Sequence, residues 1–217
     1  TLTKVGAGNL TLSAANPTLG GLVLGGGLTV LSNANQIGNP TTAKITFAGG
    51  QLQFATGFNT DISGQIAAIP GGSVAPLLLN NQTVTFASPI AGAGGLMVSG
   101  PGTLILNSAN TFSGMAGTIN GGVLRLNATS LSAGQYALNV AMLTQQAGGT
   151  AGTIEWYANE QVNPAAVYAW GSGSSALLNL RGFTQTFGGL VSSGGVSMAL
   201  QNTLASTAAT AILDVPL

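Results

Sequence analysis

Glu155 and Glu160 are the only closely spaced acids in this chain of 217 residues. Two carboxylates flanking a sugar bond are the machinery of glycoside hydrolysis. That chemistry also asks for basic or imidazole partners nearby. The chain has no His, and its four Lys and Arg residues are far from the pair in sequence. The plainer reading is two solvated acids in an aromatic-rich loop, so no catalytic residue and no enzyme activity is expected. All five Trp and Tyr residues surround the same acids: Tyr136, Trp156, Tyr157, Tyr168 and Trp170. Three roles stay open for this aromatic contact surface: a hydrophobic cap, a contact between subunits, or a platform on which sugars stack.

Other site chemistries are poorly supplied. Without Cys there are no disulfides and no thiolate metal sites, and without His the commonest metal ligand and general base is missing. None of the glycine runs is followed by Gly-Lys-Ser/Thr, so a phosphate cradle is not expected. The Gly-Gly-x-Gly-x-Asp calcium repeat is also absent, and no metal or cofactor is expected. Asn9-Leu10-Thr11, Asn81-Gln82-Thr83 and Asn127-Ala128-Thr129 are formal glycosylation acceptors, expected by chance in an Asn- and Thr-rich chain.

Charge is scarce everywhere. Charged residues make up 4% of the chain and the formal net charge is zero. An ordinary soluble domain is about a quarter charged. Such a surface lacks the basic footprint that nucleic acid or an anionic membrane requires. It also lacks the repulsion that keeps copies apart. Mean hydropathy is positive, yet Pro70, Gly71, Gly72 and Pro76 interrupt the longest apolar stretch, so no transmembrane helix is expected. A membrane β-barrel would place aromatic girdles on most of its strands, which this aromatic distribution does not do. The chain begins at Thr1 without an initiator Met, which suggests processing or excision from something longer; no signal segment is visible.

The elements that would position these residues are short strands. Leu10–Leu12, Leu28–Val30, Lys44–Phe47, Gln51–Phe54, Thr83–Phe86, Thr103–Leu106, Val123–Leu126 and Leu177–Leu180 alternate or are rich in β-branched and aliphatic residues. Glycine pairs between them supply corners. One motif occurs twice. Gly6 to Gly20 matches Gly100 to Gly114 without a gap, and each copy closes on a Gly-Gly pair, Gly26-Gly27 and Gly121-Gly122, followed by another strand. Glycine-cut strands in a repeat imply a coiled stack. Hairpin dipeptides are rare, Asn120-Gly121 being the clear one, and this favours an all-β parallel β-helix over an antiparallel sandwich. Leu104, Leu106, Val123 and Leu126 are expected inside, with Leu124 as the residue that would change places with Val123. Asp61 to Pro70 reads as a short helical turn with Asp61 at its N-cap. The segment from about 128 to 172 is atypical and reads as an insertion or end element on a single domain spanning 1–217. Strand and loop are expected over Ser132–Gln146, with a helix as the competing reading.

The stretch Ile90 to Leu106, continuing through Asn110-Thr111-Phe112-Ser113-Gly114 and Thr118 to Leu124, resembles the passenger-associated repeat of autotransporter proteins. Lys4 to Leu31 is a weaker match, with Pro17 and Leu19 in place of the usual Thr and aromatic. Leu178 to Leu190 is similar to another recurring segment of these passengers. The resemblance implies a right-handed, single-stranded parallel β-helix (β-solenoid) at the surface of a Gram-negative-type cell. The family normally ends in a membrane barrel; none is visible here, so a passenger fragment or a relative using only the repeat is implied.

The expectation is therefore an extracellular structural protein. A β-helix has open ends that must be capped or they recruit another chain. Neither end shows a charged or proline-rich cap apart from Pro216. Head-to-tail self-assembly into a fibre or surface layer follows, with Leu2, Val5, Ile212, Leu213 and Val215 as candidate subunit contacts, and with Ile212 as a place where a Lys would be buried at the junction. The alternative is an adhesin whose segment 128–172 binds glycan or a host surface. An ice-binding solenoid would need a regular Thr array, which is lacking.

Overall fold

The computed structural model describes residues 1–146, 150, 152–171, 176–192, 197–204 and 206–214. It is an all-β solenoid of parallel strands; the only helical pieces among the described residues are 3-10 turns at Ala34–Ile37 and Ser63–Gln65. Three faces run along the stack. The first begins with β1 (Leu2–Lys4), β3 (Gly21–Leu24) and β5 (Lys44–Phe47). The second holds nine strands: β2 (Asn9–Thr11), β4 (Leu28–Leu31), β6 (Gln51–Phe54), β7 (Val74–Leu78), β9 (Gly95–Ser99), β11 (Met115–Ile119), β13 (Met142–Gln146), β15 (Val167–Trp170) and β18 (Gly189–Ser192). The third holds β8 (Thr83–Phe86), β10 (Gly102–Leu106), β12 (Gly122–Leu126), β14 (Thr153–Trp156), β16 (Ala176–Asn179) and β19 (Met198–Gln201). Beyond β5 the first face narrows to single bridges and backbone bonds through Ile66, Ile69, Ile90, Phe112, Leu138 and Val162. It widens again at β17 (Thr184–Phe187) and β20 (Thr210–Leu213).

The strand pair of each coil thus changes place. In the first three coils it lies on faces one and two, and from the fourth on faces two and three. This explains the repeated motif. Its first copy supplies β2 to the second face, and its second copy supplies β10 to the third. Each copy spans one coil, with Asn9 pairing Leu28 and Gly102 pairing Gly122. The copies are equivalent along the chain and displaced by one face around the axis.

Alternation sets the core. On the third face Val84, Leu104, Leu124, Ile154 and Leu178 are in register and buried, as are Phe86, Leu106, Leu126 and Trp156. Leu124 points in and Val123 out, because Leu124 is opposite Leu104 and Ile154 while Val123 is opposite Thr103 and Thr153. On the second face Ala75, Leu96, Ala116, Leu143 and Tyr168 form a second buried column. Residues one step above each other are about 4.8 Å apart, so each inward side chain packs on its register partners above and below. Gly102 marks a corner that needs glycine: its φ is 131°, and a Cβ there would be 2.5 Å from the Gln82 carbonyl oxygen.

Buried amides stitch the corners. Asn110 accepts from the Ile90 N–H (2.7 Å) in the coil below and donates to the Ala137 carbonyl (2.7 Å) in the coil above. Gln161 and Gln185 are likewise buried and fully bonded to neighbouring backbone. The helical turn expected from Asp61 to Pro70 is confined to Ser63–Gln65, and its N-cap is Ile62 and not Asp61; Asp61 accepts from the Ser63 N–H (2.8 Å) and, a coil further on, from the Ala87 N–H (3.0 Å).

Two further expectations change, and one, strand and loop over Ser132–Gln146, is met. Asn120-Gly121 is no hairpin turn, since the strands it joins lie on different faces; it is a corner, with Asn120 at φ 53°. No helix forms over the described residues of Ser132–Gln146, because Leu143 is claimed by Ala116 and Tyr168 in the sheet and Leu138 bridges Val162. The segment 128–172 is no appendage: β13, β14 and β15 are paired on both sides within the stack.

Candidate functional site

The proposed aromatic surface is dispersed by the fold. Trp156 and Tyr168 sit at inward positions and are fully buried, which removes them from any contact surface. Trp156 donates its indole N–H to Gln185 (2.9 Å) and meets Phe187 edge-on. The Tyr168 hydroxyl donates to the buried Gln145, and burial pushes its pKa well above the ordinary phenol value. Trp170, half-buried, stacks on Tyr168 with centroids 5.8 Å apart. Alternation carried the signal: Trp156 shares the parity of Ile154, and Glu155 the opposite one.

The outward residues form two separate places. Glu155 pairs with Arg125 at 3.0 Å, and the guanidinium carbons of Arg125 and Arg181 both lie over the Tyr157 ring, 4.5 and 4.4 Å from its centroid. Glu160 instead accepts from the Thr186 N–H (3.1 Å), the Thr186 hydroxyl (3.0 Å) and Gln185 (3.3 Å). Each acid is engaged by its own structural partners. Tyr136 is half-buried and borders an open cleft of about 380 Å³ with Asn107, Ser108, Leu131 and Gln135.

The ends of the stack bring the remaining candidates together. At the start, Leu2 and Leu12 pack half-buried against the core, and Val5 is 69% exposed. Lys4 is the residue the sequence reading missed. It is in register with Leu24, which is in register with Phe47, so it stands at a core position. Its ammonium turns into the corner and donates to the carbonyls of Val5 (2.8 Å), Gly6 (2.7 Å) and Gly26 (3.0 Å). The expectation that this end has no charged cap is therefore corrected. The signal was again alternation, since Lys4 shares the parity of Leu2.

At the far end the core columns run out into solvent. Leu190 is in register with Tyr168, Leu200 with Leu178 and Leu213 with Phe187, all buried partners. The three leucines are 38%, 47% and 53% exposed. Ile212 is opposite Thr186 and points outward, so a Lys there would sit on the side of the stack and not in its core. Val215 lies outside the described residues. Asp214 follows Leu213 and is exposed; its N–H bonds the Phe187 carbonyl.

No protein-family model, curated protein or solved structure matches this chain. No helix among the described residues is long and apolar enough to cross a membrane.

Proposed function

We propose that this chain is an extracellular structural protein, a β-solenoid subunit that stacks head to tail with further copies into a fibre or surface layer. The observation that carries it is the open core at the far end, where Leu190, Leu200 and Leu213 continue buried columns into solvent. Fully burying a leucine is worth about 1.5–3 kcal/mol, and these are about half buried already, so each stands to gain about 1 kcal/mol from a covering coil. The strands that end each sheet of the last coil among the described residues add main-chain bonds to that gain. A heterologous contact of this kind does not close on itself and runs on as a filament. Right-handed winding and a place at a Gram-negative-type cell surface, which the passenger resemblance implies, belong to the same proposal.

Electron microscopy and sedimentation of the purified chain test it. Fibres one solenoid wide are expected, and deleting Leu2 to Val5 stops elongation while the central coils stay folded. A monodisperse monomer at high concentration overturns the reading.

The cleft beside Tyr136 favours a second reading, an adhesin that binds glycan. An exposed aromatic edge among Asn and Ser side chains suits a hydroxyl-rich ligand. Tyr136→Ala, and not Trp156→Ala, is the variant that tests it, because Trp156 is core. Loss of glycan capture with unchanged unfolding supports the adhesin; capture that survives Tyr136→Ala removes it.

A further inference from the structure

Only eight side chains carry charge, and two of them stand at the same corner of opposite ends. Lys4 closes β1 and Asp214 follows β20, both on the first face. The corner is the same one by its hydrogen bonds. The N–H of Gly25 bonds the Lys4 carbonyl, and the N–H of Gly188 bonds that of Ala166 where the first face turns into the second. The N–H of Asp214 repeats this bond one coil above Gly188, on the Phe187 carbonyl. All three donors of the Lys4 ammonium are taken by carbonyls, so its charge is fixed at that corner. Asp214 is exposed at the other end, next to the open Leu213, and borders a cleft on the side of the stack with Ala165 and Gly188.

We propose that the Lys4 corner of one copy seats against the Asp214 corner of the next, so that the two ends form a charge-matched pair that admits only head-to-tail addition. The inference rests on the stacking reading and adds its polarity and its angular alignment. Two first coils brought together would oppose two Lys4 charges, and two last coils two Asp214 charges. Opposed like charges at a junction select against those unions, and a matched pair speeds the correct one. The occupant of the open end is therefore a second copy, presenting its first coil with the three faces aligned.

Charge reversal tests this. Lys4→Asp gives a chain acidic at both ends, and Asp214→Lys a chain basic at both ends. Each alone is expected to elongate about tenfold more slowly than wild type at low salt. Mixed in equal amounts they regain wild-type elongation, because every junction is then matched. Asp214 is exposed, so Asp214→Lys leaves the fold intact. Added in small amounts to wild type, that variant docks its own Lys4 end but offers no acid to the next copy, and fibres shorten. Wild-type fibres with both variants elongating normally overturn the charge pairing and leave the stacking reading standing. So do variants that fail singly and are not rescued by mixing. Wild type that stays monomeric, with the amides of Leu190 and Leu200 protected from exchange, shows that the chain's own last residues cover the open end; it overturns both.

Discussion

Core columns reach both ends of this solenoid and finish there in different ways. At the first coil the columns finish in Leu2, Leu10 and Leu12, all half-buried, and in Lys4. The Lys4 stem lies where Leu24 and Phe47 lie in the coils above, and its ammonium satisfies three corner carbonyls. At the last coil the columns finish in Leu190, Leu200 and Leu213, which nothing covers among the described residues. An inward charge restricts which edges can pair with its own, while an uncovered apolar floor invites pairing. The difference shows that a repeat with almost no charge still separates its ends, and does so with single residues.

The largest test of this difference compares one residue type at two depths. Leu24 and Leu200 both occupy column positions, but Leu24 is buried and Leu200 is 47% exposed. Leu24→Ala is expected to destabilise the fold by about 2–5 kcal/mol, the range for cavity-forming core truncations. Leu200→Ala should change it by about 0.5 kcal/mol or less in dilute solution, the range for surface sites. Denaturant unfolding at low concentration measures both. Equal losses would mean that the last coil is covered in solution, and the comparison of ends would fail.

A middling effect separates a stitched corner from an end corner. Asn110 reaches both the coil below and the coil above, and it is buried. Its counterpart in the first copy of the repeat, Asn16, reaches only upward, to the Gln36 carbonyl at 2.9 Å. Asn110→Ala leaves the Ile90 N–H without a partner inside the fold and is expected to cost about 1–3 kcal/mol. Asn16→Ala should cost about 1 kcal/mol at most, the net worth of an ordinary hydrogen bond. Thermal unfolding of the two variants decides it, and an Asn16 loss as large as that of Asn110 would show the first coil to be as tightly held as the middle.

How much of this was legible in the sequence depended on whether residue type and parity agreed. Where they agreed, as in Thr103-Leu104-Ile105-Leu106 and Lys44-Ile45-Thr46-Phe47, the strands and their inward residues could be read directly. In Val123-Leu124-Arg125-Leu126 type favoured both of the first two residues, and only registration with Leu104 resolves which turns in. Where type and parity disagreed, type misled. Trp156 and Tyr168 are offered as cap, subunit contact or sugar platform because every Trp and Tyr clusters in one segment, yet both stand at inward positions. Lys4 enters the sequence reading only as one of four cations, although the alternation from Leu2 places it in the column. The displacement of the motif by one face was beyond reach, because it depends on how coils stack and not on any one coil.

The last test uses pH to distinguish the two halves. The tyrosines are Tyr136, Tyr157 and Tyr168, so the early coils contain none. Burial raises the Tyr168 pKa above its ordinary value of 10.0. A phenol that must stay protonated in the fold contributes fully below its unfolded pKa, and that contribution is lost as pH rises above about 10. Each pH unit beyond that point removes about 1.4 kcal/mol until the folded pKa is reached. Alkaline titration should therefore loosen the coils around β15 while those around β3 and β5 hold, with hydrogen exchange as the measurement. Tyr168→Phe should flatten the alkaline slope, at a cost of about 1 kcal/mol for the lost bond to Gln145. Because the last coil rests on β15 through Leu190 and Tyr168, its open end should loosen with it. If alkali instead opens the first coils earlier, the two ends differ in the opposite sense, and the half-buried Leu2, Leu10 and Leu12 are the weaker closure.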